Sequence, residues 1–583
     1  MECYQPTGLA KEIFNLRYTI HDDESWNDAC MRVATHVSMA EKGDDILKFR
    51  DDSYDILSKN LFMPGGRIWA GSGRAKGQLL NCFVIPTEDS REGWGKTVSD
   101  MIVISGVGGG VGMNCSPIRP RGTDINGSGG KATGAVSLME IVDAAGNVIK
   151  AGGGRRTALM LCLNLRHGDL LEFLDKKLDL NQLTNANVSV VFDQNPEDFF
   201  KLVRDGGTFE FKHRDKAIGV IPARELWDRI IKNALKSGEP GILNGWYANR
   251  MSNIWYWKPL ISTNPCGELW LSKYGACDLG SLVLPNFVKD TGGIDWKLLK
   301  YTVSKAVRFL DNVLSVNNYP LSEIAETCKK VRRIGLGIMG LHDVLLMNDL
   351  CYNSPEGLEL VDKLMKTIKN YAYEASVELA KEKGCFPVFK ADLFLKSNFV
   401  KTLKPTIRRK IKEHGIRNAA LLTIAPTGTT SMVCGVTSGI EPMFAPAYER
   451  RFRVDEGNQY DTEVVVHPLL KRFLDEGRDV SHFQGAHDLS IRDHLEMQRA
   501  CQQHVDNAVS KTINLMSDTS AEELSDLYME FLPELKGMTV YPDGSREDQP
   551  LTPIPLEKAV EHAQTAKEEA TAIDSCKNGT CDL

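Results

Sequence analysis

Ser262-Thr263-Asn264-Pro265-Cys266-Gly267-Glu268 is the stretch around which this chain is organised. It sets an amide, a thiol and a carboxylate at alternate positions. Pro265 biases Asn264 toward extended backbone, and in an extended chain alternate side chains share a face. The expectation is a single face carrying a hydrogen-bond donor, a sulfur and a potential base. A buried free cysteine more often serves as a small hydrophobe, so the choice between chemistry and packing falls to the rest of the chain.

At 583 residues the chain has room for three or four units or for one large α/β barrel with additions. Its 42% hydrophobic and 25% charged residues are ordinary for a globular protein, and the net charge of -7 argues against a general nucleic-acid or membrane-surface binder. The opening residues MECYQPTGLAKEIF lack the basic start and apolar core of a secretory signal, and no run of 18 apolar residues occurs. Fourteen scattered cysteines do not make a disulfide framework. They point to a reducing, cytoplasmic setting in which a conspicuous thiol is catalytic or metal-binding.

Working outward, residues 1–60 read as helices, with Ile13, Leu16, Trp26, Cys30, Val33, Ala34, Val37 and Met39 as the apolar positions. The run Gln78 to Pro86 reads as a buried strand holding Cys82, which by itself is an ordinary core thiol. Gly106–Gly112 is rich in glycine yet matches neither phosphate-loop spacing. Gly152-Gly153-Gly154-Arg155-Arg156 reads equally as an anion-binding loop and as a solvated one. Residues 184–192 read as a strand, and 223–236, 294–316 and 356–383 as helices, the last stopped by Gly384. Residues 421–425 read as a buried strand entering Pro426-Thr427-Gly428-Thr429-Thr430-Ser431, which suits either a phosphate cradle or a capped helix start. His467, His482, His487, His494 and His504 lack metal-ligand spacing, so no metal site is expected. From Ser545 the composition suggests a mobile tail ending in Cys576 and Cys581, a disulfide-forming pair or half of a zinc site.

Taken in order, NCFV (81–84), GGGVGMN (108–114), GGGRR (152–156), NPCGE (264–268), CDLGSL (277–282), APTGTTS (425–431) and the terminal CxxxxC resemble ribonucleotide reductases. The resemblance runs from about residue 10 to 583 and includes HLEMQRACQQHVDNAVSKTINL at 494–515. NPCGE looks most like the class II, adenosylcobalamin-dependent enzymes. The Leu535–Tyr541 region has one tyrosine where class I catalytic subunits carry a pair. The alternative is a class I-type subunit needing a separate radical-generating partner.

The resemblance implies a ten-stranded α/β barrel of two five-stranded halves with a central finger loop. It divides the chain into a helical region at 1–60 without an ATP cone, a barrel at 61–450, its C-terminal part at 451–545 and a mobile redox tail at 546–583. It implies thiyl-radical reduction of ribonucleotides, diphosphates by preference, to 2′-deoxyribonucleotides. In that scheme Cys266 abstracts the 3′-hydrogen, Glu268 is the base, and Asn264 holds the sugar hydroxyls. Cys82 and Cys277 supply two electrons, and Cys576 and Cys581 restore them from a thioredoxin- or glutaredoxin-like reductant. Asn81 and Pro426, Thr427, Gly428, Thr429 and Thr430 would bind substrate, and Asp89 and Arg119 a deoxynucleotide effector. A homodimer is expected, with a monomer as the alternative. Cys115, Cys162 and Cys434 read as structural.

Overall fold

The computed structural model describes residues 3–125, 129–151, 155–179, 181–453, 460–542 and 551–564. The three N-terminal helices, Gly8–Arg17, Trp26–Ser38 and Asp45–Ser58, follow the apolar periodicity of the sequence. Ser25 and Asp28 cap the second with a reciprocal side-chain box. Trp26 and Trp69 stack with centroids 5.1 Å apart and bury the inner faces. Leu16 and Met39, counted among the apolar positions, instead lie 77% and 66% exposed. Glu41 joins this region to the barrel's helices, accepting from Arg308 Nε and Lys383 Nζ at 2.8 Å each. Burial works against the Glu41 charge, yet the bonds from Arg308, Lys383 and Asn312 pull its carboxyl down to about 2.

Ten strands build the barrel: β1 Cys82–Val84, β2 Gly110–Asn114, β3 Leu159–Asn164, β4 Ala186–Phe192, β5 Gly241–Asn244, β6 Gly275–Val283, β7 Ile334–Met339, β8 at residues 421–425, β9 Thr512–Leu515 and β10 Gly537–Pro542. β1 to β5 lie side by side and parallel. β6 pairs parallel with β7, and β9 with β10. β8 fills the gap between β7 and β9 by single parallel bridges, Leu336 with Leu422 and Ile424 with Val509. Bonds from Leu336 N to Leu421 O (2.8 Å) and Ser510 N to Ile424 O (2.9 Å) complete those steps. Two antiparallel seams, β1–β6 and β5–β10, join the halves. The ring therefore closes as two parallel five-stranded halves running in opposite directions, as expected. A short strand, Phe62–Pro64, extends along β6.

Each half places its strands' carboxyl ends at a different mouth of the barrel. β6 is buried along its whole length, which fits a wall covered by helices outside and by the finger within. Glycines make room inside: a Cβ on Gly112 would lie 1.7 Å from Thr263 O, and one on Gly110 would meet the Pro265 ring at 3.0 Å. The finger thus runs against β2 from its Asn114 end toward its Gly110 end.

Within the stretch expected as a mobile tail, 546–583, Leu551–Ile554 pairs antiparallel with Ala447–Arg453. Ile554 and Ala559 then bury in a small cluster with Leu470 and Phe473. Few apolar side chains suffice there because the strand's backbone bonds are met by a neighbouring hairpin. Cys576 and Cys581 lie outside the described residues, as do Gly152, Gly153 and Gly154. Among the described residues no helix is long and apolar enough to cross a membrane.

Candidate active site

The stretch 262–268 forms the tip of a hairpin whose strands, Ser262–Thr263 and Trp270–Leu271, pair antiparallel. The chain is not extended through Asn264 to Glu268, as the proline and the alternation suggested. It turns, with Gly267 N donating to Asn264 O at 3.1 Å and Gly267 at φ 79°. That left-handed residue is one that glycine alone adopts freely. The turn brings Asn264 and Glu268 together, while Cys266 stands at its accessible apex.

Both halves of the barrel hold the finger. Asn187 Nδ2 donates to Pro265 O at 2.9 Å and Asn114 Nδ2 to Ile261 O at 3.1 Å. From the other half, Thr423 Oγ1 and Ala508 N donate to Glu268 O at 2.6 and 2.9 Å, and Trp270 Nε1 donates to Lys536 O at 3.0 Å. Sequence reasoning missed Asn187, Thr423 and Trp270 as supports. Two glycines spaced i, i+2 within a strand, at Gly110 and Gly112, were the available signal for a backbone crossing close by.

Asn264 is fully buried, and its Nδ2 donates to Glu268 Oε2 at 2.8 Å and to Cys82 Sγ at 3.1 Å. Cys82 Sγ lies 3.7 Å from Glu268 Oε1. Burial raises the Glu268 carboxyl above the usual range, opposed by the bond from Asn264. Burial likewise pushes up the thiols of Cys82, Cys277 and Cys266, with Glu268 adding to the effect at Cys82 and Cys266. Although solvent reaches Cys266 at the turn, the surrounding barrel is dense enough to disfavour its thiolate. All three groups are therefore hydrogen-bearing thiols at neutral pH, the form required for hydrogen-atom chemistry.

Cys82 on β1 and Cys277 on β6 are direct partners across the antiparallel seam, and both are free thiols. They share a small apolar cluster with Leu269 and Leu271 of the finger and Ala425 of β8. The phosphate-cradle candidate starts at the next residue. Thr427 there has φ 55°, held by Gly439 N donating to its Oγ1 at 2.9 Å, and the helix Gly428–Cys434 follows with Gly428 and Thr429 exposed. Its first backbone N–H groups point to no helical acceptor. Asn81, just before β1, has a buried Oδ1 without a partner.

Asp89 and Arg119 lie apart from this centre, paired at 2.9 Å from Asp89 Oδ2 to Arg119 Nε. They border a cavity of about 410 Å³ that also presents Trp94, Arg91 and Lys131. A larger cavity of about 840 Å³ opens at the carboxyl ends of β1–β5, against the finger's root. Its wall includes Asn114, Asn164, Asn249, Trp246, Trp270 and Lys273, with no histidine or cysteine.

A closed barrel with a thiol-bearing finger and a dithiol on its wall defines the class. The chain belongs to the ribonucleotide reductase family, matching the model of its barrel domain over residues 80–541 and that of its all-alpha domain over 4–77. It is 33% identical to the vitamin B12-dependent ribonucleoside-diphosphate reductase of Mycobacterium tuberculosis (strain CDC 1551 / Oshkosh), over 97% of this chain and 84% of that protein. It is 35% identical to the protein of the same name from Thermoplasma acidophilum, over 91% and 71%. A ribonucleoside-diphosphate reductase subunit alpha from Chlamydia muridarum is 29% identical over 73% of this chain and 46% of its own length.

Proposed function

We propose that the protein reduces ribonucleoside diphosphates to 2′-deoxyribonucleotides with adenosylcobalamin, without a radical-generating subunit. The observation that carries this is the convergence of Cys82, Asn264 and Glu268 on one buried point beside the accessible Cys266. The similarity to relatives named as vitamin B12-dependent diphosphate reductases, over nearly the whole chain, supports it above the class I-type alternative.

The residues fit the cofactor. The Cys266 thiol, exposed at the apex of the finger's turn, is where the cofactor would act. When bound, adenosylcobalamin supplies the acceptor that removes a hydrogen atom from a thiol.

On this reading Cys266, as a thiyl, takes the 3′-hydrogen of the substrate, and Glu268 accepts the 3′-hydroxyl proton. Asn264 fixes the geometry of both groups, and Asn81 offers its free carbonyl oxygen to the sugar. Loss of the 2′-hydroxyl as water takes up a proton, and Cys82 and Cys277 give two electrons and become a disulfide. Pro426 to Thr430 receive the phosphates. Cys576 and Cys581 return the electrons by exchange from a thioredoxin- or glutaredoxin-like protein.

The Asp89–Arg119 cavity, with Arg91 and Lys131 at its wall and Trp94 for stacking, takes a deoxynucleotide effector. Beside it, Ile102, Val103, Ile141 and Val148 leave two packed helices with an exposed apolar face, which supports a homodimer.

The test is turnover of a ribonucleoside diphosphate by the purified full chain with adenosylcobalamin and a dithiol. Deoxynucleotide product is expected. Product that appears only when a second protein is added would sink the proposal.

A further inference from the structure

Lys536, the residue before β10, is 2% exposed, and a buried amino group needs fixed acceptors in place of water. Its Nζ donates to two consecutive backbone carbonyls, Asp506 O at 2.6 Å and Asn507 O at 2.5 Å. The side chains of these two residues fasten the same segment to β8. The Asp506 carboxylate accepts from Leu421 N at 2.9 Å and Leu422 N at 2.8 Å, and Asn507 Nδ2 donates to Leu422 O at 3.0 Å. Asp506 Oδ2 also accepts from the Tyr373 hydroxyl, on the helix Pro355–Lys383, at 2.6 Å. Asn253 Nδ2, on the chain leading to the finger, donates to it at 3.2 Å.

The segment ends at the finger, where Ala508 N donates to Glu268 O at 2.9 Å. Lys536 reaches the finger by its main chain as well. Its carbonyl oxygen accepts from Trp270 Nε1 at 3.0 Å and from Asn244 N of β5 at 3.1 Å. Glu268 and Trp270 lie two residues apart on the finger's returning limb. Both hang from Lys536: Trp270 directly, Glu268 through the residues that the amino group holds. Gln502 Nε2 is a second donor to Asn507 O, at 3.2 Å, so loss of the lysine falls first on Asp506 O. A buried carbonyl left without a donor is costly and draws toward water, taking the neighbouring Ala508 N with it.

We propose that Lys536 is a positioning residue for the reaction, the anchor that fixes Glu268 in its working place. The amino group holds the 506–508 segment against β10, and the carbonyl holds Trp270, so the returning limb of the finger is set in one frame. The proposal rests on the reading of Glu268 as the base. Lys536 is out of solvent and its bonds are spent on backbone, so it acts through Glu268 and not on the nucleotide. Its loss therefore falls on the chemical step, for which the base must be aligned, and spares substrate affinity.

The test measures steady-state reduction of a ribonucleoside diphosphate by the full chain with adenosylcobalamin and a dithiol. Beside it, amide hydrogen exchange is followed by mass spectrometry on the same protein without nucleotide. Lys536→Met should lower kcat tenfold or more with KM for the nucleotide within twofold. Exchange over residues 264–271 should quicken tenfold or more, while that of the helix Trp296–Val316 stays as in the native chain. Lys536→Arg, which offers donors to the same carbonyls, should restore kcat to within threefold of native. Thr423→Val, which removes the other donor to Glu268 O, should cost at least threefold more in the Lys536→Met chain than alone. A raised KM with kcat unchanged, simple additivity with Thr423→Val, or faster exchange spread over the whole barrel would each overturn the proposal. Should Lys536→Met not fold, Trp270→Phe breaks the bond to the Lys536 carbonyl and leaves the lysine in place. It must then show the same loss of kcat and the same local exchange, and a native result from it overturns the proposal. If the native chain itself makes no product, the functional reading fails, and finger exchange in Lys536→Met or Trp270→Phe still decides whether Lys536 anchors the finger.

Discussion

Cys82 and Cys277 face one another directly across the seam where the two antiparallel halves of the barrel meet. Opposed residues in such a pair sit at Cα separations of roughly 4.5–5.5 Å, within the span a disulfide bridges. Prereduced protein carrying Cys576→Ser and Cys581→Ser, given adenosylcobalamin and one equivalent of nucleotide but no reductant, should lose two free thiols per chain, both from this pair. Cys266→Ser should lose none. Thiol titration with peptide mapping checks both outcomes.

Gly112→Ala tests the path of the finger. The new Cβ would fall 1.7 Å from Thr263 O, a backbone atom that cannot step aside without moving the hairpin. The expected cost is about 1–3 kcal/mol of stability, from overpacking. Turnover should drop a hundredfold or more, because Cys266 moves with the hairpin. Urea unfolding measured beside activity separates the two effects.

Glu268→Gln keeps the bond from Asn264 but removes the base. Turnover should fall by about 10²–10⁴. Glu268 must be ionised to accept a proton, and burial raises the pH at which it ionises. The acid limb of the native rate profile should therefore lie above the ordinary carboxylate range, with rate rising as pH rises through it. That limb should vanish in the glutamine variant.

Thr423→Val removes one of the two donors to Glu268 O while leaving that of Ala508 N. Stability should fall by about 1 kcal/mol. Calorimetry should show nucleotide binding little changed while kcat falls several-fold, since the loss acts on the finger rather than on the phosphate loop.

Acid should weaken the fold through His342 and His494, both fully buried and both pulled down to about 3 by burial. In the folded chain they stay neutral down to that pH, whereas in the unfolded chain they protonate below about 6.5. The unfolded state binds more protons between those limits, so stability is lost as pH falls through the window. By pH 5 the loss is on the order of 2 kcal/mol for each histidine. Urea midpoints at pH 7 and pH 5 test this, and His342→Phe should reduce the difference.

The sequence was most legible where periods are long. The helices at 223–237, 296–316 and 355–383 have bounds close to those their apolar spacing implies. The barrel was legible only through family resemblance, because β1 has three residues and β5 and β9 four each, too few to display a period. β8 is held by isolated bridges alone. At the site, Asn264 and Glu268 were read as neighbours for the wrong reason: Pro265 suggested extension, and Gly267 made a turn. Asn187 and Thr423 support the finger across 78 and 155 residues of chain, a relation local sequence does not carry.

Because the two halves of the barrel run in opposite directions, each mouth receives the carboxyl ends of one set of five strands. The large Asn-lined cavity opens at the first set, and the loop from Pro426 at the second. Each mouth therefore carries the loops of its own half, and the finger, rooted at one and pointing to the other, is the only part of the site that both halves hold in common among the described residues.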